Sequence, residues 1–174
     1  PGIRQENYTL KTDILTYTIR FENLGNAEAI DVTISDKMDA TLDMSTFKVV
    51  NSSYPVFTTI DGFDVQFFFK NIWLGKNKKG FVTYEIKSLN NIPDITLVEN
   101  KAGIVFDFNQ PVITNTTLNT LVEKICENVI FTMDTSICKG ESFQGYTETG
   151  VYIDTVSIGS ICDSFSQIFL TVLE

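Results

Sequence analysis

The chain contains no histidine. That excludes Ser-His and Cys-His catalysis, and every zinc site that depends on imidazole. Positive charge is scarce: 13 Lys and Arg stand against 22 Asp and Glu, a net charge of −9. Such a surface repels phosphate backbones, which argues against a nucleic-acid partner. It fits a solvated face that keeps β modules apart. No run of ~18 apolar residues occurs, so no helical membrane span is expected. No window of ~12 residues carries an i, i+3, i+4, i+7 stripe, so long helices are not expected either. No secretory leader is visible, and the start Pro1-Gly2 reads as a piece cut from a longer polypeptide. Cysteine is missing from residues 1–125; Cys126, Cys138 and Cys162 all follow.

That one-sided cysteine distribution predicts two units, 1–123 and 124–174, with the boundary near Glu123–Cys126. The first is large enough to rely on a core. The second, of about 50 residues, is of a size where a disulfide helps most. It reads as a small Cys-containing β unit, itself incomplete.

What the first unit does have is alternation. Leu15, Tyr17, Ile19 and Phe21 alternate with Thr16, Thr18, Arg20 and Glu22. Period two buries one face of a strand and wets the other. The same pattern runs through Ile30–Ile34, Val65–Phe69, Val82–Ile86 and Ala102–Phe106. Val112 to Leu121 reads as a last strand, and Phe47–Val50 as a short one. Phe68 breaks the polar face of its strand, which predicts cover on both sides. About seven short strands without crossover helices predict an all-β, immunoglobulin-like antiparallel β-sandwich, with the small C-terminal β unit appended. Fourteen Phe and six Tyr supply the core. Trp73 is expected as an apolar plug at one end of the sandwich; the alternative is an exposed, ligand-stacking ring.

These residues resemble a known family. The match runs from Leu15–Asn23 and Gly25 through Ala29–Asp36 and Asp39–Phe47, and closes on Asn100–Val112 and Ile113–Thr120. Over about residues 8–122 this is similar to the conserved-repeat β-sandwich domain of unknown function in large secreted and cell-surface proteins of Bacteroidota. Ser136–Phe143, Gly150–Tyr152, Cys162–Ser164 and Phe169–Val172 resemble a short Cys-containing repeat from the same kind of protein. The resemblance implies an exported, non-catalytic structural or spacer module of an adhesin-like protein. Its partners would be other domains of the same polypeptide, and surface glycans or proteins. It supplies no catalytic residue, no cofactor and no metal. It also implies a Cys138–Cys162 bridge, since the repeat carries both, with Cys126 left over. Cys126–Cys138 is the rival pairing.

Two further readings stand beside that one. Asp36, Asp39 and Asp43, and Asp61 and Asp64 near Gly62, could offer oxygens to calcium. The expected role for polar residues of this kind is structural: Asp107 and Asn109 fix a corner before Pro111 by bonding backbone groups. A carbohydrate-binding module attached to an exported enzyme is the alternative function, and Trp73, Tyr54 and Tyr146 are its candidate stacking rings. Paired carboxylates could in principle hydrolyse glycosides. However, no nucleophile setting such as Gly-x-Ser-x-Gly is present, and the reading is not an enzyme.

Overall fold

Alternation becomes geometry in strands β2 (Leu15–Glu22) and β7 (Lys79–Ser88). They pair antiparallel from Leu15 opposite Ile86 to Glu22 opposite Lys79. Every second side chain of each is buried. The computed structural model describes residues 7–125, 130–157 and 163–174. It holds fourteen strands and, among the described residues, no helix. Two compact units are separate in their contacts, Pro1–Glu123 and Lys124–Glu174.

In the first unit one sheet has the order β2-β7-β4, where β4 is Leu42–Ser52. The facing sheet has the order β10-β9-β3-β6-β5. Here β3 is Val32–Lys37, β5 Phe57–Asp61, β6 Asp64–Phe69, β9 Ala102–Phe106 and β10 Val112–Ile113. A third sheet, β1-β11-β8, joins Tyr8–Leu10, Thr117–Val122 and Thr96–Asn100. This is an all-β, immunoglobulin-like sandwich. Its core is shared between the facing sheets: Tyr17, Phe21, Val82 and Tyr84 meet Val32, Ile34, Phe67 and Phe69. Phe21 lies 5.0 Å from Phe69, and Phe67 5.8 Å from Tyr84, centroid to centroid. The Phe21 ring covers Gly80, its cross-strand partner, so closely that a Cβ there would meet the ring at 2.2 Å.

Several strand expectations are corrected. Val112 to Leu121 is two strands, because the chain leaves β9 after Ile113 and rejoins β8 at Thr117. The strand around Phe47 runs to eleven residues, and register shifts between Asp43 and Lys48 and between Val49 and Asn51 blur its alternation. Pairing is not uniformly antiparallel: β1 runs parallel to β11, so the first and last described strands of the unit lie side by side. Phe68 is half-buried, with Phe57 at 6.2 Å on the outer face.

The second unit is one sheet of order β12-β14-β13, built from Ile130–Cys138, Asp163–Leu173 and Gly150–Ser157. Ile137, Ile168 and Leu170 are buried, with Phe143, Tyr146, Tyr152 and Val172 packed on them. β12 is parallel to β14, from Ile130 opposite Phe165 to Cys138 opposite Leu173.

The expected Cys138–Cys162 bridge and its rival Cys126–Cys138 involve Cys162 and Cys126, which lie outside the described residues. Cys138 itself sits opposite Leu173 at the end of β12, exposed and with a free thiol. Alkylation of the folded protein without reductant, followed by peptide mapping, is expected to find Cys138 modified. A Cys138 that resists alkylation until reductant is added would refute this.

Candidate functional site

An open groove of about 1530 Å³ runs beside β2. Its floor is made by the inner side chains Tyr17, Ile19 and Phe21 of β2 and Ile104 and Phe106 of β9. These are the residues that alternation turns inward. Ile14, Leu24, Val112 and Ile113 line it as well, and each is at least half exposed. Two acids, Asp13 and Glu22, and two bases, Arg20 and Lys101, also line it, so the groove has no net charge. At one end Tyr17 donates its hydroxyl to Asn119 Oδ1 at 3.3 Å, and Asn119 Nδ2 donates to Thr9 Oγ1 at 3.0 Å. Burial, then the Asp36 and Asp39 carboxylates, push the Tyr17 phenol up to about 12.

The backbone beside this groove is unfinished. Among the described residues β2 pairs with β7 alone, and no strand lies along its other edge. Eight residues of strand are about 26 Å long. Their outward N–H and C=O groups are a template for another extended chain. The arrangement can bind a strand through main-chain hydrogen bonds while apolar side chains enter the floor.

The stacking candidates are not brought together. Trp73 is 58% exposed, which corrects the expected plug. The physical reason lies in its neighbours. Ile72 N donates to Ile30 O at 2.9 Å and Leu74 N to Ala29 O at 2.7 Å. Leu74 is thereby buried and Trp73, with φ of 47°, turns outward. Tyr54 is half-buried against the core of the first unit. Tyr146 belongs to the second unit, where it stacks on Tyr152 at 3.8 Å.

The aspartates proposed for calcium are engaged singly. Asp39 Oδ1 accepts from Thr41 N and Oγ1, and Asp43 Oδ1 from Ser45 N and Oγ. Asp61 and Asp64 are the exposed cross-strand pair that closes the β5–β6 hairpin around Gly62. Asp36 is buried: its Oδ2 accepts from Tyr84 Oη at 2.7 Å and from Asn100 Nδ2 at 3.2 Å. Among the described residues no group of three or more His, Cys, Asp or Glu is placed to hold a metal. Asp107 does fix a corner, with Oδ1 accepting from Ile30 N at 2.9 Å and Asp31 N at 2.8 Å. The groove itself has no motif in the sequence, because an edge strand and a central one share the same alternation.

Comparison with known proteins agrees with this fold. The N-terminal domain of the Streptococcus gordonii adhesin Sgo0707 superposes with a TM-score of 0.52 at 16% identity, over 66% of this chain and 30% of that one. The C-terminal domain of the Streptococcus agalactiae AgI/II polypeptide BspA gives 0.53 at 13% identity, over 66% and 44%. Domains D2 and D3 of the major pilin SpaD from Corynebacterium diphtheriae give 0.51 at 17% identity, over 82% and 56%. The chain thus spans roughly a third to a half of the length of these proteins. No curated protein matches it by sequence. The sequence pattern of one family does match, over residues 2–120, and the chain belongs to that family, the domain of unknown function DUF7619.

Proposed function

We propose that the chain is a non-catalytic, load-bearing spacer of an exported or cell-surface adhesin-like protein, holding other domains of the same polypeptide. The observation that carries this is the parallel pairing of β1 with β11 at the two ends of the first unit. When force is applied through the ends of parallel terminal strands, their hydrogen bonds are loaded together in shear instead of one after another. Thr120 N donates to Asn7 O at 3.1 Å and Lys11 N to Val122 O at 2.9 Å, one at each end of this clamp. The structural likeness to adhesin and pilin domains supports a cell-surface setting. The resemblance to Bacteroidota surface repeats, tail included, supports the same reading, with surface proteins or glycans as further partners. Carbohydrate binding rests on one exposed ring, Trp73, which has no aromatic neighbour within stacking reach among the described residues.

Single-molecule pulling on the whole chain, held between marker domains, tests this. The first unit is expected to unfold in one step at high force. Thr9→Pro, which removes a backbone N–H from β1, is expected to lower that force markedly. Gradual extension at low force in the unmodified chain would refute the load-bearing role.

A further inference from the structure

We infer that the second unit pairs with itself: one face of its sheet packs on the same face of a second copy, and two chains together make a two-layered β-sandwich. The strand register carries this, independently of the spacer role. Residues opposite each other in a sheet point to the same side. Met133, Ile168 and Tyr152 share one side, as do Ile137 and Val172. There Ile137, Ile168 and Leu170 are buried, packed with Phe143, Tyr146 and Tyr152. The other side holds Val151 opposite Phe169, and Ile153 opposite Gln167. Leu173 continues the parity of Phe169. Val151, Ile153, Phe169 and Leu173 are between 38% and 67% exposed. A sheet that is apolar on a face needs a second layer to bury it.

Area and charge point to a second copy as that layer. The four side chains leave about 400 Å² of apolar surface bare on each chain, a large patch for so small a unit. Two such faces, with the polar side chains between them, bury about 1,200 Å² in total, the lower end of specific, stable interfaces. The described side chains of the face carry a single charge, Asp134 on the edge strand β12. A two-fold axis between the sheets and across their strands lays β13 on β13 and β14 on β14. Apolar residues then meet apolar ones. Thr132, Asp134 and Ser136 of β12 fall at the rim, where polar groups stay wet. Sheets packed face to face stand about 10 Å apart, a gap that interdigitating Val, Ile and Phe side chains fill.

Sedimentation equilibrium of the whole chain, with reductant present, gives the test. The mass is expected to rise reversibly from that of a monomer toward twice that value between about 1 and 500 μM, as suits an interface of this size. Ile153→Asp, at an exposed position of β13, is expected to weaken association about tenfold or more, because it places an unpaired charge in the interface. Phe57→Asp, as exposed but in the first unit, is expected to leave association unchanged. In methyl nuclear magnetic resonance of the natural chain, the signals of Val151, Ile153 and Leu173 are expected to shift on dilution. Those of Ile60 and Ile113, exposed in the first unit, are expected to stay. Should Ile153→Asp disturb the sheet, these methyl signals decide. Three results would overturn the inference. One is a monomer throughout that range. Another is a dimer that Phe57→Asp disrupts and Ile153→Asp does not. The third is cross-peaks from the Val151 and Ile153 methyls to first-unit protons in the dilute chain, which would make the first unit the covering layer.

Discussion

Phe67→Ala is expected to lower the unfolding free energy of the first unit by about 3–5 kcal/mol. Phe67 is fully buried on β6 and sits between Phe47 at 6.2 Å and Tyr84 at 5.8 Å. Both neighbours come from the opposite sheet, on β4 and β7. Removing the ring therefore opens a cavity between the sheets that neither can fill without parting from its own hydrogen-bonded partners. A domain of this size has about 5–15 kcal/mol in total, so the loss is a large share of it. Phe67→Leu keeps most of the volume and is expected to cost clearly less. Trp73, the single tryptophan of the chain, lies in this unit and reports its urea transition by fluorescence. A loss below about 1 kcal/mol would mean that this cluster does not tie the two sheets together.

How much of this was legible depends on whether a residue's neighbours share its burial. β2, β6, β7 and β9 announced themselves because they face a common core and alternate cleanly. β5 did not, since Phe57 and Ile60 are exposed on an edge strand and no inward face marks it. β8 was hidden for a related reason: Leu97 is exposed and Val98 buried within one short segment. Trp73 was misread because hydrophobicity suggests burial, whereas a bridge between Ala29 and Leu74 decides which side chain turns inward. The parallel register of β12 and β14 was not legible either, because spacing along the chain carries no information about strand direction. The groove beside β2 was invisible, because a free edge is a property of neighbours. Asp36 was legible in retrospect. It continues the parity of Val32 and Ile34, and that parity outweighs its charge as a guide to its position.

Asp36→Ala is expected to cost about 2–4 kcal/mol, while Asp36→Asn stays within about 1 kcal/mol of the natural chain near neutral pH. The alanine removes the acceptor of the Tyr84 hydroxyl at the centre of the core. Asparagine keeps an oxygen there. The contrast follows from how Asp36 is held. Its partners are Tyr84 and Asn100, and among the described residues no Lys or Arg pairs with it. Burial pushes its carboxyl above the ordinary value of 3.8, and the hydrogen bonds from Tyr84 and then Asn100 pull it partly back. The ionisable groups facing it are Tyr17 and Tyr84, with Asp39 beyond. Burial first and the Asp36 charge second raise both phenols, so no cation compensates from their side. Asp36 Oδ1 and Asn100 Oδ1 are both buried without a partner. A neutral carboxyl leaves no uncompensated charge among these unpaired oxygens. The sign for stability is then fixed. The folded chain holds a proton that the unfolded chain has released, so stability is greatest below about pH 3.8 and falls as pH rises through the raised value. Asp36→Asn has no such proton to lose. The stability of the natural chain relative to Asp36→Asn is therefore expected to fall as pH rises above about 4 in urea titrations. A relative stability that rises over that range would mean the carboxylate is favoured in the core, and would overturn the reading of Asp36 as a buried acid.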